Sequence, residues 1–297
     1  MFTNQDVMEL RKKTGAGVAD CKKALTETQG DMDKAVDFLR EKGIATAAKK
    51  ASRIAAEGIV LAKVEANAGC LVEVNCETDF VAKGDQYIAF VQSVADYVMA
   101  NDVKDIDQLI ADKNEETVNA TAKIGEKIAI RRFVKYTAES GLVESYIHMG
   151  GKVGVLLELD GCTCDGAKEL AHDVALQIAA AKPLYLTAAE VPADVVEHEK
   201  EILLAQIKND PKLANKPEMV INKMIEGKIN KYYDENCLLC QAFVKDPSIT
   251  IEKLVKDTGD KMGKTLTIKR FTRFEMGEGL EKRNDDFAAE VEAQMKK

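Results

Sequence analysis

Over residues 1–43 apolar positions recur every three or four residues and are cut by glycines, which predicts three short helices. "VMELRKKTG" stops at Gly15, "GVADCKKALTETQG" at Gly30, and "DMDKAVDFLREKG" starts behind Asp31 and stops at Gly43. Thr3 followed by Asp6 marks the first start. Val7 with Leu10, and Ala35 with Phe38 and Leu39, supply apolar stripes that three such short helices must pool in one core. The Ala-rich stretch "IATAAKKASRIAAEG" then reads as a linker helix over residues 46–57.

From residue 58 the period falls to two. "GIVLAKVEA" and "CLVEVNC" flank the turn signal "NAG", so a hairpin is predicted. A helix follows, with Tyr87, Phe90, Val91, Val94, Tyr97 and Val98 on one face. The same order returns after residue 141: "GLVESYIH", "MGGK", "VGVLLELDG", then a helix carrying Leu170, Ala171, Val174, Ile178 and Ala181. This is an internal duplication of strand, turn, strand and helix. "KIAIRRFVKY" supplies a strand between the copies and "KTLTIKRFTRFEMGEG" a returning one. Residues 192–228 read as an αα-hairpin whose Val195, Ile202, Leu203, Val220, Met224 and Ile225 pack on each other or on a second subunit. "NDDFAAEVEAQMKK" closes the chain as a helix with Phe287, Val291 and Met295 at spacing four. The predicted class is α+β: N-terminal helices, a first core unit at 58–140, a second at 141–191 and 229–275 interrupted by the hairpin, and a C-terminal module at 276–297.

Composition narrows the chemistry. The 297 residues hold 42 Lys and Arg against 50 Asp and Glu, a net charge of -8, the wrong sign for an affinity built on phosphate neutralisation. No direct nucleic-acid contact and no membrane association are expected; without an export signal the expected location is cytoplasmic and its seven cysteines are expected to be reduced. The three histidines, His148, His172 and His198, have no nucleophile signature nearby, and "TGAGVADCKK" lacks the preceding strand and the ending of a phosphate loop. No enzyme and no cofactor are expected. Cys162 and Cys164 as C-x-C, with Cys237 and Cys240 as C-x-x-C, match the ligand count of a four-thiolate zinc site, the alternative to unrelated thiols. The basic pairs Lys22–Lys23, Lys49–Lys50 and Arg131–Arg132 read as solvated faces.

One stretch resists a packing account. "NCETDFVAKGDQY" places Asp79 and Phe80 between a strand and a helix, where Asp79 could cap a turn and Phe80 could fold inward as a staple. The corresponding place in the second copy, "GCTCDGAK", has no aromatic. A packing requirement would act on both copies, so an aromatic in only one points outward, toward another protein.

Three separated motifs carry a resemblance: "LRKKTGAGVADCKKAL" at 10–25, "VNCETDFVAK" at 74–83 and "RFEMGEG" at 273–279 resemble bacterial elongation factor Ts, the nucleotide exchange factor family for the GTPase elongation factor Tu. The resemblance implies that residues 1–45 form a ubiquitin-associated-like domain and that the hairpin dimerises, as a coiled coil, giving a homodimer. It implies that Thr78, Asp79, Phe80 and Val81 enter the partner's GTPase domain and help dislodge its magnesium ion. It also implies partner contacts at Leu10, Gly15, Val18 and Lys22, at His148, and at Val244 and Lys245, where "CQAFVKD" lacks the proline that commonly follows Gln in this family.

Overall fold

Thr3 and Asp6 close a capping box, each side chain meeting the other residue's backbone N–H, and so start α1 (Asn4–Thr14). Gly15 ends it in the left-handed region at φ 69°, where a side chain would be strained. Helices α2 (Val18–Glu27) and α3 (Met32–Lys50) follow, the latter capped by Asp31. Val7, Leu10, Cys21, Ala24, Leu25 and Ala35 form their shared core. The computed structural model describes residues 2–210, 213 and 216–281.

The expected stop at Gly43 and the separate linker helix at 46–57 are not found: α3 runs unbroken to Lys50, and β1 (Glu57–Glu65) already begins at Glu57. Gly43 lies inside the helix. It is buried, and a Cβ there would lie 3.5 Å from Ala122 on the neighbouring helix α7 (Asn114–Ile124). That is an ordinary contact distance, so the close approach of the two helices does not require glycine here, and α3 simply tolerates its propensity cost.

β1 pairs antiparallel with β2 (Ala68–Cys76), and β2 with β3 (Ala129–Thr137). β4 (Gly141–His148), β5 (Val153–Asp160) and β8 (Thr267–Glu275) make the second sheet in the same order. On the outer face of the first sheet α5 (Asp85–Ala100) covers Cys70, Val72 and Val74; on that of the second, α8 (Asp165–Ala181) covers Val155, Leu157 and Leu159. The inner faces meet through Val60, Leu71 and Tyr136 of one sheet and Val143, Leu156 and Phe274 of the other. The layers therefore run helix, sheet, sheet, helix, and both faces of each central strand are buried.

The duplication persists at the level of single contacts. Gly69 approaches Val143 and Leu156, while Gly154 approaches the equivalent Val60 and Leu71. Glu73 on β2 binds Arg132 directly across on β3, beside a bulge; Glu158 on β5 binds Arg270 on β8, beside a bulge in the same place. Each arginine then reaches over to the other half, Arg132 onto the Phe274 ring and Arg270 onto the Tyr136 ring, both at 4.2 Å. Reciprocal contacts of this kind define an approximate two-fold axis between the sheets. Arg131 and Arg132 are thus not a solvated basic face. Both bind the fully buried Glu73 carboxylate, which also accepts the Gly277 N–H.

Helices α9 (Ala193–Asn209) and α10 (Glu218–Asn236) form the hairpin, the second running eight residues past the expected end at 228. Of their apolar residues only Ile207 and Ile229 are fully buried, and Ile202, Met219 and Val220 stay exposed. Two helical regions lie where the sequence pattern predicts no element: α6 (Ile106–Asp112) with α7, and α11 (Ile251–Met262) behind the two-stranded β6 (Ala242–Phe243) and β7 (Asp246–Thr250). The expected terminal helix with Phe287, Val291 and Met295 lies outside the described residues.

Candidate functional site

Between β2 and α5 the chain takes residues 77–84; between β5 and α8 it takes only 161–164. The extra length forms a single helical turn, α4 (Asp79–Ala82), whose N-cap is Thr78 rather than Asp79: the Thr78 hydroxyl accepts the Val81 N–H at 3.3 Å. Ala82 is buried and Val81 packs against the core under α5. With those two turned inward, Phe80 is left outside, its ring 84% exposed. The staple alternative is therefore excluded, and Thr78 and Val81 hold the turn that displays the ring.

Asp79 bonds the Lys83 ammonium at 2.7 Å, and chiefly through that contact its carboxyl is held below the usual carboxylate range. It and Lys83 line an apolar cleft of about 580 Å³ together with Ile59, Leu61 and Ile88, and Ile147, Met149 and Lys152 come from the β4–β5 hairpin. Met149 is 73% exposed at φ 49°, so a second large apolar side chain besides Phe80 stands in the open, here on the cleft itself. His148 precedes it, exposed, its Nδ1 2.9 Å from the Tyr146 hydroxyl. Tyr146 makes an edge-on contact with His172, which bonds Glu144.

His172 and Asp173 sit together on α8, and Asp173 accepts from Lys245 at 2.6 Å. The exposed Val244 and Lys245 are fixed there by two buried glutamines: Gln177 accepts the Val244 N–H and donates to Gln241 and to the Ala242 carbonyl. Gln241 donates in turn to the Glu235 carbonyl at 2.8 Å and so anchors the loop to the end of α10. In this way Asp79, Phe80, His148, Val244 and Lys245 belong to one connected surface running from the first copy across the β4–β5 turn to the second.

The N-terminal positions divide. Gly15, Val18 and Lys22 are exposed, whereas Leu10 is fully buried and cannot touch a partner. The sequence could show that Leu10 belongs to a helix stripe, and a stripe of three helices has no side to spare. α3 docks on α7 through Arg40 and Glu115 at 2.9 Å, and Lys50 donates to the Gly125 carbonyl.

Cys21, Cys70, Cys76, Cys237 and Cys240 are free thiols, as the sequence predicts, and two cysteines are not. Cys162 and Cys164 are joined as a disulfide, not reduced, in the short loop before α8. Cys237, at the end of α10, is buried, and burial pushes its thiol up to about 11. Among the described residues no group of three or more His, Cys, Asp or Glu is placed to hold a metal ion. Among the same residues no helix is long and apolar enough to cross a membrane.

Fold and surface together define an internally duplicated α+β scaffold that holds one loop's aromatic in the open, flanked by an apolar cleft. The sequence profile of the family described as "Elongation factor TS" matches residues 77–278. A protein named elongation factor Ts from Clostridium perfringens is 49% identical over 304 residues, covering 98% of both chains. Its namesake from Symbiobacterium thermophilum is 51% identical over 298 residues, covering 98% of this chain and 97% of its own, and that from Halothermothrix orenii is 47% identical over 304 residues. The chain belongs to the elongation factor Ts family.

Proposed function

We propose that the protein is a guanine nucleotide exchange factor of translation elongation, working in the cytoplasm: it binds elongation factor Tu carrying GDP and promotes GDP release by disturbing the magnesium and phosphate site. Family membership supports the partner, and the exposed Phe80 ring supports the mode of action. No bond chemistry is needed. The factor must bind the nucleotide-free GTPase better than the loaded one, and by linkage each ligand then weakens the other.

Magnitudes show how the surface must work. Burying one phenylalanine contributes roughly 1.5–3 kcal/mol, about one or two powers of ten in an equilibrium constant. A nucleotide held at nanomolar strength represents about 12 kcal/mol. Phe80 alone falls far short of that, so His148, Val244, Lys245 and the N-terminal Gly15, Val18 and Lys22 supply the area that holds the partner. Phe80 directs part of that binding energy onto the nucleotide pocket. The hairpin's exposed Ile202, Met219 and Val220 support pairing with a second copy.

The single observation that carries the reading is the 84% exposed Phe80 on a turn capped by Thr78. Stopped-flow release of fluorescent GDP from the GTPase tests it. Phe80→Ala is expected to slow catalysed release about ten- to a hundredfold, with circular dichroism unchanged. Release at the wild-type rate would overturn the assignment.

A further inference from the structure

Two carboxylates that the proposed surface does not use stand directly beneath it. Glu126, half-buried in the connection between α7 and β3, accepts the Glu77 N–H at 3.0 Å, the Thr78 N–H at 3.0 Å and the Thr78 hydroxyl at 2.7 Å. Glu77 returns the arrangement, accepting the Lys127 N–H at 2.7 Å and the Arg53 guanidinium at 3.2 Å. Segments 77–78 and 126–127 thus each hand a carboxylate to the other's backbone. Arg53 adds the stretch that follows α3, and Lys127 donates its ammonium to the Arg53 carbonyl.

The Thr78 hydroxyl is the hinge of this clamp. Its one proton goes to Glu126, which leaves its lone pairs for the Val81 N–H inside α4. A hydroxyl so fixed aims the N-terminus of a helical turn too short to hold itself. The second copy has the shorter loop, and there the position before α8 is Cys164, which makes no side-chain cap.

We infer that Glu126 is a positioning residue for exchange: resting on the proposed function, it sets the direction of Phe80 through Thr78 without touching the GTPase. Its loss leaves the partner-holding surface in place and lets the ring wander. The consequence falls on the rate of release at saturating partner and not on the concentration that half-saturates.

The test is a two-by-two set: wild type, Phe80→Ala, Glu126→Ala and the double variant, each followed by stopped-flow GDP release over a range of partner concentrations. Glu126→Ala is expected to lower the saturating rate about five- to tenfold with the half-saturating concentration within about twofold. In the Phe80→Ala background the same change is expected to cost nothing further, because the ring it aims is gone. Glu126→Gln, which keeps one acceptor oxygen, is expected to fall between wild type and Glu126→Ala. Thermal melts of each variant identify any that fail to fold, and Glu126→Gln then carries the test. An additive loss in the double variant, or a normal saturating rate for Glu126→Ala, would overturn the positioning role. If Phe80→Ala itself releases GDP normally, it is the proposed function that fails.

Discussion

At the scale of residues, Asp79 and Phe80 are neighbours with opposite dependence on their surroundings. The ring is free, and its behaviour is set by what it meets; the carboxylate is held by Lys83 on the same short turn. Because the folded Asp79 titrates below its usual range, the contact's contribution is fully present above the unfolded value and is lost only as pH falls through the lower folded one. Across neutral pH the turn therefore keeps its charge pattern. Lys83→Met is expected to raise the Asp79 midpoint toward the ordinary carboxylate value in a side-chain NMR titration, and an unmoved midpoint would contradict the pairing. The outward aromatic was legible in the sequence because the duplication offers an internal control: one copy has it and the other does not. Glu126 was not legible. It lies in "KIGEK", which has no periodicity, and its partners are some fifty positions away. Leu10 failed for the opposite reason, since a resemblance carries a position without its burial.

Elements were read correctly wherever a face is buried in a regular period, as on α5, α8 and the six long strands. Where burial is sparse the signal faded: α6 and α7 bury Leu109, Ala120 and Thr121 among polar neighbours, and α11 buries Ile251, Val255 and Gly259. Gly43 misled because glycine is tolerated inside a helix as well as at its end, and the one-dimensional pattern does not distinguish the two. How the two sheets face each other was also out of reach, although its determinants can now be named. A Cβ on Gly69 would lie 2.8 Å from Val143 Cγ1, and one on Gly154 2.4 Å from Val60 Cγ1. Gly69→Ala and Gly154→Ala are each expected to destabilise by about 1–3 kcal/mol through overpacking of the shared interface, measured by urea unfolding. Loss at one site with none at the other would break the equivalence that the reciprocal contacts assert.

For the whole molecule, the hairpin stands apart from the sheets in the character of its surface. Its exposed Ile202 and Val220 are expected to join two copies, so Ile202→Asp with Val220→Asp should shift sedimentation velocity to the monomer value; wild type sedimenting as a monomer at every concentration would exclude the homodimer. The sheet pair, by contrast, is already complete within one chain. Its first half is continuous from Glu57 to Thr137, and the chain crosses to the second through Ala138, Glu139 and Ser140. Ala138 is pinned by Asn67, whose carbonyl takes its N–H and whose amide reaches its carbonyl, while Glu139 and Ser140 lie exposed. Assembly rests on Val60, Leu71, Val143 and Leu156 rather than on that crossing. The peptide link between Glu139 and Ser140 is accordingly a tether more than a strut: severed there, the two pieces retain every contact that keeps them face to face, as a pair of subunits would.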